Sequence, residues 1–136
     1  MRSRPGWWSA VAKTMVLLPS VRLLLSVRGY RRTMRLLATS IPTARAAEPD
    51  DLPPRIAEIA SAVTTVASLV PFRSRCLARS ITIWWLCGRR GHDVDVLIGV
   101  APPEGARLPA HAWAEYRGKP LNDTADVRDR YAVISP

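Results

Sequence analysis

The chain has 136 residues, about the length of one domain, and 48% of them are hydrophobic, which is enough to fill a core. This composition excludes a wholly disordered chain. Nine basic and two acidic side chains fall in residues 1–50, against eleven and nine in residues 51–136. We therefore distinguish a basic N-terminal helical region, residues 1–50, from a nearly neutral region, residues 51–136.

The basic region has the pattern of amphipathic helices. Apolar residues recur at helical spacing over residues 7–28, where Pro19 is expected to kink or break the helix. A second short helix is predicted over Tyr30 to Ala38. Because Lys13 and Arg22 interrupt the apolar stretch, we predict neither an export signal nor a transmembrane segment.

The nearly neutral region has the pattern of helices followed by a small antiparallel sheet. Proline-rich residues 39–54 are the predicted linker before it. Apolar residues then repeat at three and four positions, as in a helix, and later at every second position, as in a strand. The predicted elements are a helix over residues 55–70, a helix from Arg75 to Arg90 capped by Ser74, and strands over residues 94–100, 111–117 and 131–135.

The cysteine and histidine content limits the kinds of site that the chain can form. It contains two cysteines, Cys76 and Cys87, two histidines and no CxxC pair. We expect no disulfide framework, no metal site and no other cofactor. A reducing, cytoplasmic location fits this composition best.

Cys76 falls in the first turn of the predicted second helix of this region. Unpaired backbone N–H groups and the helix dipole favour a thiolate there, and such a site can lower a cysteine pKa from about 8.5 to between about 3.5 and 7.5 when a histidine also pairs with it. The alternative is that a cysteine on an apolar helix is an inert small hydrophobic residue, the commoner case. Cys87 is assigned to that class.

His111 begins a strand whose alternation places Trp113 and Glu115 on the same face. It follows Cys76 by 35 residues and precedes Asp123 by 12. This is the chain order of a Cys-His-Asp enzyme, with helix, strand and strand beneath it. Trp113 is a candidate wall of the site and hence a candidate substrate-binding residue.

The third residue of the site is open between two acids. If Gly118 and Lys119 are the central residues of a tight turn, paired residue numbers sum to about 237 and His111 faces Asp126. Hairpin counting alone therefore favours Asp126. Pro120 is expected to force a bulge or a wider turn, which would shift that register, so Asp123 stays open as the third residue beside Asp126.

The segments CLARSITIWWLCGRRG and AHAWAEYRGKPLND, with a strand ending IGV between them, resemble the stand-alone leader peptidases of lasso peptide biosynthesis. These belong to the transglutaminase-like cysteine protease superfamily, and the resemblance spans roughly residues 70–135. It implies an α+β fold, in which N-terminal helices precede a papain/transglutaminase-like core with a cysteine-capped helix packed on a small antiparallel sheet. It also implies that Cys76 is the nucleophile, His111 the general base and acid, and Asp123 the carboxylate that orients the imidazole.

The resemblance implies a function and partners as well. Such enzymes remove the leader from a ribosomally made precursor peptide and leave an amine for an ATP-dependent macrolactam cyclase. Fused relatives carry a leader-recognition domain, whereas residues 1–50 lack the alternating strands that a leader-binding sheet would need. We therefore expect a separate leader-recognition protein, with Trp7 and Trp8 as candidate docking residues.

Two alternative functions follow from the same residues. A transglutaminase-like acyltransferase would pass the acyl group to an amine instead of water. A non-enzymatic basic module would use the cationic region to bind nucleic acid or an anionic membrane surface. The chain has no helix-turn-helix or other nucleic-acid signature, so nucleic acid is not expected as a partner, while contact with a membrane surface stays open.

Overall fold

The computed structural model describes residues 5–41, 53–69, 75–100 and 110–134. These residues form a mixed helix and sheet structure, which confirms the expected α+β class. The four strands form one antiparallel sheet in the order β3-β2-β1-β4. The elements are α1 (Pro5–Arg28), α2 (Tyr30–Ala38), α3 (Pro54–Leu69), α4 (Arg75–Gly88), β1 (Val94–Val100), β2 (Ala110–Tyr116), β3 (Lys119–Pro120), α5 (Val127–Arg130) and β4 (Ala132–Val133).

Helix α1 runs without a break through Pro19, so of the two expected outcomes, a kink or a break, the break is wrong. Pro19 lies on the exposed side of the helix, so its ring does not disturb the packed face. That face packs against α3 and α4, and its buried residues are Ala10, Thr14, Leu18 and Val21. Gly29, at φ 80°, separates α1 from α2, whose bounds are those predicted.

The outer face of α1 is apolar and exposed. Its large side chains are Trp8, Met15, Val16, Leu23 and Val27. By length and composition alone, the helix over Gly6–Arg28 could cross a membrane. The core helices of other proteins and signal sequences meet the same two criteria. The expected absence of a transmembrane segment stays a prediction.

The main hydrophobic core lies between the helices and one face of the sheet. Helix α3 buries the predicted stripe of Ile56, Ile59, Ala60, Val63, Val66 and Ala67. The first four pack with α4 and with Val94 and Ala114 of the sheet, and the last two pack with α4 and Val96. Because α1 joins the same clusters, the described parts of the basic and nearly neutral regions share one core.

The turn between β2 and β3 is tighter than predicted and is centred elsewhere. Its central residues are Arg117 and Gly118, at φ 49° and φ 82°, the signature of a two-residue type I′ turn. Tyr116 pairs with Lys119, so paired residue numbers sum to 235 instead of 237. Pro120 fits because its position, next to the closing pair of the turn, requires no N–H bond to β2.

The second face of the sheet is covered by the segment that follows β3, including helix α5, which sequence periodicity did not predict. Leu97 is therefore buried with Trp113, Val127 and Tyr131, although alternation alone would place it on the polar side of β1. Strand β1 is covered on both faces, and its buried residues do not simply alternate.

Some predictions fall outside the described residues. These are the Ser74 cap, most of the linker over residues 39–54 and the boundary between residues 1–50 and 51–136. The last predicted strand, residues 131–135, is observed only as the two residues of β4.

Candidate active site

Cys76 lies in the first turn of α4, one residue after the helix begins. The backbone N–H groups of this turn have no acceptor within the helix, so they favour negative charge. Helix α4 packs across β2 and β1, and this brings its N-terminal turn to the start of β2, where His111 lies. Cys76 is only partly buried.

The imidazole of His111 is held by Asp123. Nε2 of His111 hydrogen-bonds Oδ2 of Asp123, and both side chains are nearly buried. The other carboxylate oxygen, Oδ1, accepts the backbone N–H of Thr124 at 2.7 Å and Nη2 of Arg130 at 2.7 Å. With Nε2 occupied, Nδ1 is the nitrogen left to bond the thiol of Cys76.

Opposing effects act on the pKa of the Cys76 thiol. Burial raises it, but hydrogen bonds with His111 and with the backbone of Ala112, together with the charges of His111 and Arg79, lower it more. The net result is a pKa below the usual value of a cysteine, so Cys76 gives up its proton more readily than an ordinary thiol.

The pKa of His111 is raised and the pKa of Asp123 is lowered in the same row of groups. The hydrogen bond from Cys76 raises the pKa of His111, and Asp123 raises it further against the opposing effect of burial. Burial would raise the pKa of Asp123, but hydrogen bonds with His111, Thr124 and Arg130 lower it overall. The three groups therefore favour a thiolate, an imidazolium and a carboxylate in a row.

A family model described as the transglutaminase-like superfamily matches residues 15–136. The chain belongs to the transglutaminase-like superfamily. This confirms the family expected from the cysteine-led helix and the AHAW and ND segments.

The transglutaminase-like chain is also similar to the microcin J25-processing protein McjB of Escherichia coli, with 31% identity over 64 residues. The similar segment covers 47% of this chain and 29% of that protein, so it spans less than a third of the relative's length. No solved structure is significantly similar to the chain.

Behind the imidazole of this transglutaminase-like site lie two aromatic rings. The ring centroids of Trp113 and Tyr131 are 5.9 Å and 5.0 Å from that of His111. Trp113 is fully buried, and its indole N–H donates to Glu115 at 2.7 Å. The expectation that Trp113 walls the substrate site is therefore wrong, because it supports the imidazole from within and exposes no surface to a substrate.

Glu115 is a buried carboxylate on the same face of β2 as His111 and Trp113. The sequence predicted this face for Glu115 but no role. Besides the Trp113 indole, it accepts Nε of Arg128 at 3.0 Å and Nη2 of Arg128 at 2.7 Å. This bidentate pair joins β2 to α5 behind the site.

Asp126, the alternative third residue, is turned away from His111. Its carboxylate accepts the hydroxyl of Thr124 and lies 3.5 Å from Nε of Arg130, and its side chain is 61% exposed. The turn at Arg117 and Gly118 explains the difference, because its register places residue 124, next to Asp123, opposite His111.

Three further residues of the site were not found from the sequence. Asn122 bonds both β2 and α4, and Arg130 bonds the Asp123 carboxylate. A Cβ on Gly99 would lie 2.8 Å from Cβ of Tyr131, so glycine allows the aromatic cluster to close over β1. Asn122 lies within the ND segment, but the other two positions carry no local signal.

The remaining predicted features lie apart from this cluster. Cys87 is fully buried in the helix core. Across the described ranges, no group of three His, Cys, Asp or Glu side chains is arranged to hold a metal ion.

Proposed function

We propose that the protein is a cysteine peptidase that removes the leader from a ribosomally synthesised lasso peptide precursor. The observation that carries the proposal is the row formed by Cys76, His111 and Asp123, with the thiol pKa lowered and the imidazole pKa raised. The resemblance to leader peptidases and the partial similarity to a microcin J25-processing protein supply the substrate class.

In the proposed reaction, the Cys76 thiolate attacks the scissile carbonyl and forms a carbon–sulfur bond. The imidazolium of His111 then gives its Nδ1 proton to the leaving amine as the peptide C–N bond breaks. Water, deprotonated by the now neutral imidazole, attacks the thioester and releases the leader acid. Asp123 keeps the proton on Nε2 throughout, so that Nδ1 alternates between acceptor and donor.

The backbone N–H of Cys76 supplies one donor for the oxyanion that forms in each step. It lies in the first turn of α4, where the helix offers it no acceptor. The positive end of the helix dipole favours the same negative charge.

A separate leader-recognition protein delivers the precursor in this proposal. An extended peptide can be bound by adding as a strand to a free sheet edge, and the proposal assigns this mode to the leader. Within the described ranges, the edge strands β3 and β4 have two residues each, which is too short for strand addition. The macrolactam cyclase is the proposed consumer of the freed amine, and the cytoplasm the proposed location.

The deciding experiment incubates the precursor and its leader-recognition protein with the chain and follows the products by mass spectrometry. Wild type and Cys87→Ala should release leader and core, whereas Cys76→Ala should release neither. A leader that carries an added amine instead of a free acid would identify an acyltransferase. Turnover by Cys76→Ala would contradict thiol chemistry altogether.

The requirement for a delivery protein is tested in the same assay. We expect the chain alone to cleave slowly or not at all, and the cognate leader-recognition protein to restore turnover. Full-rate, leader-dependent cleavage by the chain alone would show that recognition resides within it.

A further inference from the structure

We propose that Asn122 is a positioning residue whose side-chain amide joins strand β2 to helix α4 and thereby fixes Cys76 against His111. The inference rests on the proposed function only in taking Cys76 as the nucleophile. It adds a residue whose side chain bonds Ala114 and Ser80 and thereby determines how the thiol and the imidazole meet.

The first half of the link is made with β2. In the register of the β2–β3 hairpin, Ala114 and Leu121 form a hydrogen-bonded pair, and each N–H should reach the other's carbonyl. Leu121 does donate its N–H to Ala114 O at 2.8 Å. The N–H of Ala114, however, donates to Oδ1 of Asn122 at 2.8 Å. The side chain replaces the missing carbonyl, and the backbone leaves the sheet at this point.

This departure from the sheet is what brings the acid to the imidazole. A strand that continued in register would direct residues 122 and 123 to opposite faces of the sheet. Because Asn122 satisfies β2 with its side chain instead, the next residue, Asp123, turns back and bonds His111.

The second half of the link is made with α4. Nδ2 of Asn122 donates to Oγ of Ser80 at 3.0 Å, and Ser80 is fully buried. The Ser80 hydroxyl in turn donates to the carbonyl of Cys76 at 2.6 Å. Since Cys76 and Ser80 are one turn apart, the chain of bonds runs from β2 to the backbone of the nucleophile.

The link therefore spans the two elements whose separation sets the bond between Cys76 and His111. Each buried polar group of this link bonds another group of the chain. Removing the side chain of Asn122 or Ser80 therefore leaves unsatisfied polar groups between α4 and β2. We expect the N-terminal turn of α4 to shift relative to β2 when the link is cut, weakening the bond that holds the thiol pKa down.

The test measures the rate at which iodoacetamide alkylates Cys76 as a function of pH, with peptide mapping to separate Cys76 from Cys87. In Asn122→Ala and in Ser80→Ala, the inflection should move upward toward about 8.5, the value of an ordinary thiol. Once the inflection lies above neutral pH, the rate at neutral pH should fall about tenfold for each further pH unit by which it rises. The double variant should move no further than either single variant, because both cut the same link.

The matched control is Thr82→Val. Thr82 is also fully buried on α4 and donates its hydroxyl to the carbonyl four residues earlier, Ala78, at 2.8 Å, as Ser80 does to Cys76. The charged groups that act on Cys76, His111 and Arg79, are unchanged in every variant. Thr82→Val should lower thermal stability without moving the inflection.

An inflection that stays at its wild-type pH in folded Asn122→Ala would overturn the proposal, as would an equal change in Thr82→Val. If Asn122→Ala does not fold, Ser80→Ala decides, since it cuts the link and leaves the Asn122 bond to Ala114 intact. Alkylation needs no peptide, so it is independent of whether the protein cleaves a precursor. If the protein does not cleave the precursor but the inflection moves as expected, the peptidase function is rejected and the positioning role of Asn122 is retained.

Discussion

Replacing Asp123 by Asn should invert the tautomer of His111. One carboxylate oxygen of Asp123 faces two donors, the N–H of Thr124 and Nη2 of Arg130, while the other faces Nε2 of the imidazole. An amide has one oxygen, and two donors hold it on the side of Thr124 and Arg130. The amide NH₂ then points at Nε2, which must accept, so the proton moves to Nδ1 and the imidazole no longer accepts the proton of Cys76.

The expected cost follows from losing both the tautomer and the charge that stabilises the imidazolium. We expect the kcat of Asp123→Asn to fall by about 10² to 10⁴, which corresponds to about 3–5 kcal/mol of transition-state stabilisation. The pH at which Cys76 is alkylated should rise in parallel, because the thiolate loses its imidazolium partner.

The assay is precursor cleavage followed by mass spectrometry under single-turnover conditions, which separates chemistry from product release. Asp126→Asn is the matched control, since it removes an exposed carboxylate from the same segment that also faces Arg130. We expect the control to stay within about threefold of wild type. If Asp126→Asn is the more damaging change, or Asp123→Asn stays within about threefold, the assigned orientation of the imidazole is wrong.

The same substitution should change how stability depends on pH. The pKa of Asp123 is lower in the folded chain than its unfolded value of about 3.9. Its contribution to stability is therefore fully present above about pH 3.9 and is lost as pH falls through the folded pKa. Acid denaturation followed by circular dichroism should be less steep in Asp123→Asn, and an unchanged slope would contradict the assigned direction of the pKa change.

Three further substitutions test the surroundings of the site. Gly99→Ala should lower the free energy of unfolding by about 1–3 kcal/mol and slow cleavage, because its Cβ collides with Tyr131 behind His111; wild-type urea stability would count against this packing. Glu115→Gln should lower the free energy of urea unfolding, because the buried carboxylate accepts both the Trp113 indole and the Arg128 guanidinium; a gain in stability would show that the buried charge is itself unfavourable. Cys87→Ser should retain cleavage while losing about 1–3 kcal/mol in urea unfolding from a buried hydroxyl, so loss of cleavage at full stability would be unexpected.

The sequence predicted the elements that have a periodic apolar pattern or clear bounding residues. Helices α2 and α3 and strand β1 begin and end within a residue of their predicted bounds, because one buried stripe determines each helix and turn residues bound the strand. The order of Cys76 and His111 could likewise be read from helix and strand positions, whereas Asp123 came from the resemblance of the ND segment and not from residue counting. Helix α5 could not be predicted, since four residues are too few to show a period.

The sequence-based prediction was wrong for the β2–β3 turn, where backbone conformation and not the side-chain pattern determines the register. Gly118 and Lys119 looked like the centre of the turn, but Arg117 takes the left-handed conformation, which a non-glycine residue rarely does. Moving the centre of the turn by one residue lowers the sum of paired residue numbers by two, so His111 faces residue 124 and not Asp126. The support given by Arg130 and Gly99 depends on tertiary contacts and has no local signature.

The two-residue turn at Arg117 and Gly118 constrains which insertions and deletions the chain can tolerate. Adding one residue between His111 and Asp123 would move the acid by about 3.3 Å and reverse the face of each following position in the hairpin. Between Cys76 and His111, by contrast, the connection from β1 to β2 can change length outside either ladder. Among related chains, the histidine-to-carboxylate interval of 12 should therefore vary far less than the cysteine-to-histidine interval of 35.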